Sequence, residues 1–465
     1  MLNPSLFHLP LVVALVLGLA SCGGGDKGKV GKSGKARALQ VHFTCDVAGR
    51  LEPCGCFTGQ YGGLTRIRTL LRELETPDAL LFDVGDAIKG TDDFHRIQHR
   101  YLATAFEILG YSALNVGHRE AQLTRDQLAE IASASSVPML GANTVDAQTR
   151  QPVVQPWTVV ESKSGLKIGV IGLLDPKGLG DRVGDGLLIE DMRTTLSNVL
   201  PEVEKKSDFI IVLAFANVPA MTKLAEDFYE IDLILGGDVH QPSQDLEEIN
   251  QSAILAVTNQ ARALGSFGCT VQPDGTRTDS TWDVQTVRDY IPEDQKLVKL
   301  SRDYRTELRT TVLDIDDPHA IRGDEVPGVK SRAASYVGSQ ACTSCHPKAA
   351  AVWEKSGHAH AFATLKKKDS EMDPNCVACH TIGFGQPSGY QRKFEGTKLA
   401  DVGCESCHGP GQQHVAERTS GDEPLFQFRP LGAGDCKSCH HGEFSRPFEW
   451  EDFWPLIEHG KESEM

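Results

Sequence analysis

Four copies of one pentapeptide constrain this chain more than any other feature. They are Cys342-Thr343-Ser344-Cys345-His346, Cys376-Val377-Ala378-Cys379-His380, Cys404-Glu405-Ser406-Cys407-His408 and Cys436-Lys437-Ser438-Cys439-His440. C-x-x-C-H is the attachment signature of c-type haem: two thiols add across the porphyrin vinyl groups and the adjacent His ligates the iron. Two intervening residues span the two vinyl positions, and the next residue falls beneath the metal. Paired C-x-x-C zinc ribbons would leave the His after every second Cys unexplained. The pattern therefore predicts four covalently bound haem c groups. Their proximal ligands are His346, His380, His408 and His440, and their thioethers form at Cys342, Cys345, Cys376, Cys379, Cys404, Cys407, Cys436 and Cys439.

From Ser335 onward about 130 residues carry four macrocycles, roughly 32 residues each, too few for a conventional apolar core. A small, mainly helical domain spanning 336–465 is expected, with the haems packed together as its core. The distal candidates are His358, His360, His414, His441 and His459. A second His closes an iron to ligands, and a vacant face permits binding or catalysis.

The rest of the 465 residues is organised differently. Short apolar runs at 39–44, 79–84, 137–141, 167–174, 208–214, 231–235 and 253–257 read as buried strands, and 64–74, 96–109, 125–133 and 222–229 carry helical periodicity. Strands alternating with helices predict an α/β layered sandwich over 39–290. A charged amphipathic helix over 293–311 and a linker rich in Asp, Pro and Gly over 314–332 fill the stretch 291–335 between the domains.

At the N-terminus, residues 9–20 form an apolar run too short for a comfortable membrane span. Leu19-Ala20-Ser21-Cys22 and a Gly-rich stretch follow it. This resembles a lipoprotein signal peptide over 1–21, with lipid on Cys22 and a flexible tether over 22–38. No Lys or Arg occurs among the first eight residues, a departure from that pattern, and a plain secretory signal is the alternative. Either reading puts the chain in the periplasm or cell envelope, with redox proteins as partners. A net charge of -16 argues against a nucleic-acid partner.

The C-terminal domain resembles the multihaem cytochromes typified by the tetrahaem cytochrome of ammonia-oxidising bacteria. The resemblance rests on Tyr336-Val337-Gly338-Ser339-Gln340-Ala341-Cys342, Ser356-Gly357-His358-Ala359-His360-Ala361, Gly403 to Gly411 with His414, and Phe453-Trp454-Pro455 with His459-Gly460. It implies distal ligation by His358, His414 and His459. Three distal histidines for four haems suggest one five-coordinate iron, unless His360 or His441 serves.

Residues 39–290 resemble the calcineurin-like metallophosphoesterases, in particular the 5′-nucleotidase branch. Their D-x-H, G-D, G-N-H-[DE] and G-H-x-H segments are recognisable here but altered. Asp46-Val47-Ala48 has Ala48 at a His position, Gly85-Asp86 is intact, Gly117-His118-Arg119-Glu120 has Arg119 at the catalytic His position, and Gly236-Gly237-Asp238-Val239-His240 keeps its last His. The isolated His falls near Phe215 or Asn217. By this resemblance Asp46, Asp86, His118, Asp238 and His240 remain as oxygen and nitrogen ligands for one divalent metal. Two-metal phosphoryl chemistry needs more than that set.

Five thiols lie outside the haem motifs: Cys22, Cys45, Cys54, Cys56 and Cys269. Cys54 and Cys56 read as a soft-metal or redox pair, or as disulfide partners with Cys45 as one option, and Cys269 as an inert core thiol. Three functions follow from these readings: an electron carrier with a degenerate phosphoesterase-like domain, an active nucleotidase with a cytochrome tail, and a redox enzyme using an open haem.

Overall fold

The computed structural model describes residues 35–53, 60–258, 260–316, 335–393, 397–421, 428–440 and 447–460. The expectations for the signal segment, Cys22, Cys54, Cys56, His441 and most of the linker lie outside these residues. Among the described residues no helix is long and apolar enough to cross a membrane.

The N-terminal domain contains strands β1 (Arg37–Thr44), β2 (Leu80–Asp83), β3 (Ala113–Asn115), β4 (Met139–Leu140), β5 (Thr144–Asp146), β6 (Trp157–Glu161), β7 (Lys167–Leu174), β8 (Leu187–Ile189), β9 (Phe209–Phe215), β10 (Leu233–Gly237), β11 (Glu247–Ile249), β12 (Ser252–Ala256), β13 (Ala263–Val271) and β14 (Arg277–Thr286). Two six-stranded sheets form, in the orders β14-β13-β1-β2-β3-β4 and β11-β12-β10-β9-β7-β6. Strands β1 to β4 run parallel to one another, as do β7, β9, β10 and β12. Parallel strands covered on both faces read as continuous apolar runs, and all seven residues of β9 are buried.

Between the sheets lie Val41, Phe43, Phe82, Phe209, Leu235 and Phe267. Helices α1 (Leu64–Glu73) and α2 (Asp93–Leu109) cover the outside of the first sheet through Leu64, Ile67, Leu102 and Phe106. Helix α3 (Arg125–Ser133) follows, held by a Thr124–Gln127 capping box. Helices α4 (Met192–Lys206) and α5 (Val218–Asp227) cover the second sheet through Leu196, Val203, Met221 and Leu224. The order of layers is therefore helix, sheet, sheet, helix. Asn115 ties the sheets together: its amide nitrogen donates to the carbonyls of Val84, Leu173 and Leu213.

Three helices differ most from the sequence expectation: α2, which begins three residues before the expected 96, and α4 and α5. Helix α5 starts four residues before the expected 222, because Asn217 accepts the Ala220 N–H at 3.0 Å and Pro219 falls in the first turn. Helix α4 has no counterpart in the sequence reading. Pro201 sits inside it and breaks the periodic signal, while Asp191 caps its start.

Helix α6 (Gln295–Thr310) belongs to both halves of the molecule. On one side Arg68 and Arg72 pair with Asp294, its N-cap residue, and Tyr101 donates to Glu307 at 2.7 Å. On the other, Arg309 pairs with Glu371 at 2.6 Å. Arg392, 1 % exposed, binds Asp316 through two nitrogens at 3.0 and 2.7 Å and also donates to the carbonyls of Leu308, Thr311 and Met372.

The C-terminal region is a chain of short helices: α7 (Gln340–Thr343), α8 (Pro347–Lys355), α9 (Ala361–Lys366), α10 (Pro374–His380), α11 (Cys404–His408), α12 (Gln412–Ser420), α13 (Ala433–Cys436) and α14 (Trp450–Phe453). Among the described residues one apolar cluster exists there, made of Phe362, Leu365, Val377, Ile382, Tyr390 and Leu399 around the second attachment motif. Helices α12, α13 and α14 bury no residue at all. The expectation of a core made wholly by cofactor is thus corrected locally: α9 and α10 pack on side chains of their own.

Candidate functional site

Every attachment motif begins in or beside a short helix, so both thiols and the following imidazole project from one turn. None of the ten described cysteines, eight of them in the motifs, forms a disulfide. The tertiary structure then brings distant histidines together in pairs. His346 and His414 have ring centres 6.2 Å apart and planes 28° from parallel. His358 and His440 are 6.0 Å apart, and His408 and His459 are 5.8 Å apart. A first-row metal–imidazole bond of about 2.0 Å on each side, plus about 1.2 Å from nitrogen to ring centre, separates two axial rings by about 6.4 Å. The three gaps fit one iron each.

The orienting bonds suit ligation as well. His459 Nδ1 lies 2.8 Å from the Ile457 carbonyl, and His380 Nδ1 lies 2.7 Å from the Ala361 carbonyl, which leaves Nε2 for a metal in both. Burial lowers the pKa of His358, His408, His414 and His440, which favours the neutral, ligating imidazole. His380 is in no imidazole pair among the described residues. His360 is exposed and outside the pairs. Phe428 packs against both His408 and His414, while Phe448 and Phe453 pack against His440.

The segments expected to carry the phosphoesterase motifs lie at the C-terminal ends of β1, β2, β3 and β10. Asp46, Ala48, Asp86 and Asp238 all adopt left-handed backbone angles, with φ of 51°, 50°, 59° and 56°. Strained non-glycine backbone of this kind collects at functional sites. Buried Glu120 accepts the N–H groups of Asp86, Ile88 and Gly117 at 2.9 to 3.0 Å, fixing the β2 and β3 loops.

Arg119 dominates the charge arrangement. Its guanidinium reaches Asp46 Oδ1 at 2.5 Å and lies 3.8 Å from Asp86 Oδ2, and its own N–H donates to Asp86 Oδ1 at 2.8 Å. Burial, then the neighbouring Glu120 carboxylate, pushes Asp86 up to about 8 against the opposing pull of Arg119. His118 turns away, its Nε2 2.9 Å from the Asp175 carbonyl and its ring edge-on to Phe215 at 4.8 Å. Asp238 and His240 are exposed. Among the described residues no three His, Cys, Asp or Glu side chains are grouped to hold a metal ion. The five expected ligands Asp46, Asp86, His118, Asp238 and His240 are therefore not brought together as a set. The residues present do not fit a divalent metal, because the Arg119 guanidinium lies against both Asp46 and Asp86, where a cation would sit.

Cys45 lies under this site, fully buried, with its thiol pKa raised by burial and then by Asp83 and the other nearby carboxylates. Cys269 is buried in β13 and pushed up to about 12 by burial, as an inert thiol should be.

A family model described as cytochrome c554 and c-prime matches residues 341–409, which include the first three attachment motifs. Cytochrome c-554 of Nitrosomonas europaea is 39% identical, over 17% of this chain and 40% of its own length. The 2′,3′-cyclic-nucleotide 2′-phosphodiesterase/3′-nucleotidase of Salmonella typhimurium is 26% identical over 42% of this chain and 35% of its own length. The chain thus spans less than half of either relative. The calcineurin-like phosphoesterase YfkN of Bacillus subtilis superposes with a TM-score of 0.52 at 18% identity, covering 58% of this chain and 98% of that one. The chain joins a 5′-nucleotidase-like domain with the calcineurin-like phosphoesterase fold to a C-terminal cytochrome c domain.

Proposed function

We propose that this chain is an exported, lipid-anchored electron-transfer protein with four haem c groups, three bis-histidine ligated and one open. When bound, the haems supply one-electron redox chemistry. The observation that carries the reading is the trio of imidazole pairs His346/His414, His358/His440 and His408/His459 at 5.8 to 6.2 Å. Each pair joins a proximal ligand to one of the three distal histidines that the cytochrome resemblance implies. His380, which is in no imidazole pair among the described residues, would hold the open haem. The apolar cluster around Val377 and Ile382 limits water around that motif, and the Ala361 carbonyl holds the proximal ring in place.

The N-terminal domain acts in this reading as a docking surface for a redox partner, with its hydrolytic site closed by Arg119. Lipid on Cys22 holds the protein at the cell envelope.

A haem stain and a reduced-minus-oxidised spectrum test the core of the proposal, with four haems per chain as the expected content. Carbon monoxide should bind the reduced protein at one iron. In His414→Ala the thioethers of Cys404 and Cys407 stay intact and a second iron becomes high-spin. An unchanged low-spin electron paramagnetic resonance signal in that variant refutes the axial assignment. Hydrolysis of an aryl phosphate with Mn²⁺, Zn²⁺ or Mg²⁺ that disappears in Asp86→Ala would instead make the N-terminal domain an active phosphoesterase.

The open position at His380 also favours a second reading, a redox enzyme acting on a small nitrogen or sulfur compound. Turnover of such a compound that carbon monoxide inhibits would support it.

A further inference from the structure

The second residue of the third attachment motif, Glu405, is buried, with 4 % of its surface exposed. A carboxylate in that position needs partners, and it finds them in two other segments. Its oxygens accept the Val337 N–H at 3.0 and 3.1 Å, the Gly338 N–H at 2.7 Å and the Gly411 N–H at 2.7 Å. Hydrogen bonds to an ionised acceptor are about twice as strong as neutral ones.

The two segments lead to the two rings of one imidazole pair. Val337 and Gly338 run directly into α7, which carries Cys342, and His346 follows at the start of α8. Gly411 is the N-cap of α12, which carries His414. Two further bonds close the arrangement: Cys404 N–H donates to Ser339 Oγ at 3.2 Å and Gln412 N–H to the Ser335 carbonyl at 3.2 Å. At Gly338, φ is +86° and an added Cβ would lie 2.7 Å from the Lys398 carbonyl oxygen, so only glycine fits at that bend.

We infer that Glu405 is the positioning residue for the His346/His414 axial pair, although its sequence neighbours serve a different haem. This rests on the axial-pair reading above. Neither ring touches Glu405; the carboxylate fixes the origin of each arm and so the gap between the rings. Gln cannot replace it, since a carboxamide offers one acceptor oxygen and turns N–H groups toward backbone donors.

The test counts carbon monoxide per chain in the reduced full-length protein, with haem content checked at four by pyridine haemochrome. Wild type should bind about one equivalent, and Glu405→Gln and His414→Ala about two each. The double variant should also stay at about two, because both changes open the same iron. If Glu405→Gln matures poorly, Glu405→Asp keeps the charge with a shorter reach. It should give a value between one and two and a changed low-spin resonance for one haem. The inference is overturned if either Glu405 variant binds like wild type, or if the double variant reaches three, since Glu405 would then act on His408. A His414→Ala protein that binds only one equivalent would instead remove the axial-pair reading itself, and the inference with it.

Discussion

The two halves of this protein obtain a fixed interior by opposite means. In the N-terminal domain, side chains such as Phe43, Phe82, Phe209 and Phe267 fill the space between two sheets with no outside contribution. In the C-terminal domain, α12 to α14 bury nothing, and its one apolar cluster surrounds the second attachment motif alone. The difference shows in the ligands too. The C-terminal histidines come together in pairs with ring centres 5.8 to 6.2 Å apart, whereas in the N-terminal site an arginine lies between two aspartates. The first half is packed by its own side chains, whereas much of the second has few buried side chains of its own.

The strongest way to break this contrast is to prevent haem attachment. Changing Cys404 and Cys407 together to Ala should make the region after residue 335 protease-sensitive. Residues 37–310 should still melt in one cooperative transition. Equal protease resistance in the haem-deficient variant would show that polypeptide packing suffices there after all.

Removing the clamp between the halves should come next. Arg392→Ala leaves Asp316 buried without its cation, at a cost of about 3–5 kcal/mol, and should split thermal unfolding into two transitions. Burial raises the Asp316 pKa, but the hydrogen bonds from Arg392 outweigh it and hold the group below its ordinary value. A depressed folded pKa means that this stabilisation is complete above about pH 4 and is lost as pH falls through the folded value. Wild type should therefore acquire two transitions on acidification, and a single transition down to pH 2 would contradict the assignment.

A smaller effect tests the N-terminal ion pairs. Arg119 is partly exposed, so Arg119→Ala should cost about 1 kcal/mol and free Asp46 and Asp86 for a cation. Mn²⁺ at a hundred times its dissociation constant should then add about 2.7 kcal/mol to the variant and none to wild type. Mn²⁺ stabilisation of wild type would show that the guanidinium does not exclude metal.

The smallest expected change is at Tyr304, a buried residue of α6 whose hydroxyl has no hydrogen-bond partner among the described residues. Tyr304→Phe removes an unsatisfied group and should alter stability by no more than about 0.5 kcal/mol, in the stabilising direction. A loss above about 1 kcal/mol by urea unfolding would reveal a partner for that hydroxyl.

The amino-acid sequence was sufficient wherever the information is local. Two thiols and an imidazole must be close in the chain to grip one porphyrin, so the attachment sites were legible as pentapeptides. Strand β7 and helix α3 were read to the residue, one from an unbroken apolar run and the other from regular helical spacing. Helix α4 was hidden because Pro201 interrupts its pattern, although its neighbours in the fold tolerate it. His358, His414 and His459 could be named as distal ligands by resemblance, but which proximal ring each would face depends on how α8, α12 and the C-terminal segment fold back. The same holds for the insertion of Arg119 between Asp46 and Asp86, and for the reach of Glu405 into segments on either side of it. Covalent chemistry acts between neighbours in sequence and can be read there; axial pairing, ion pairing and the burial of a carboxylate act between neighbours in space, and only the tertiary structure decides those.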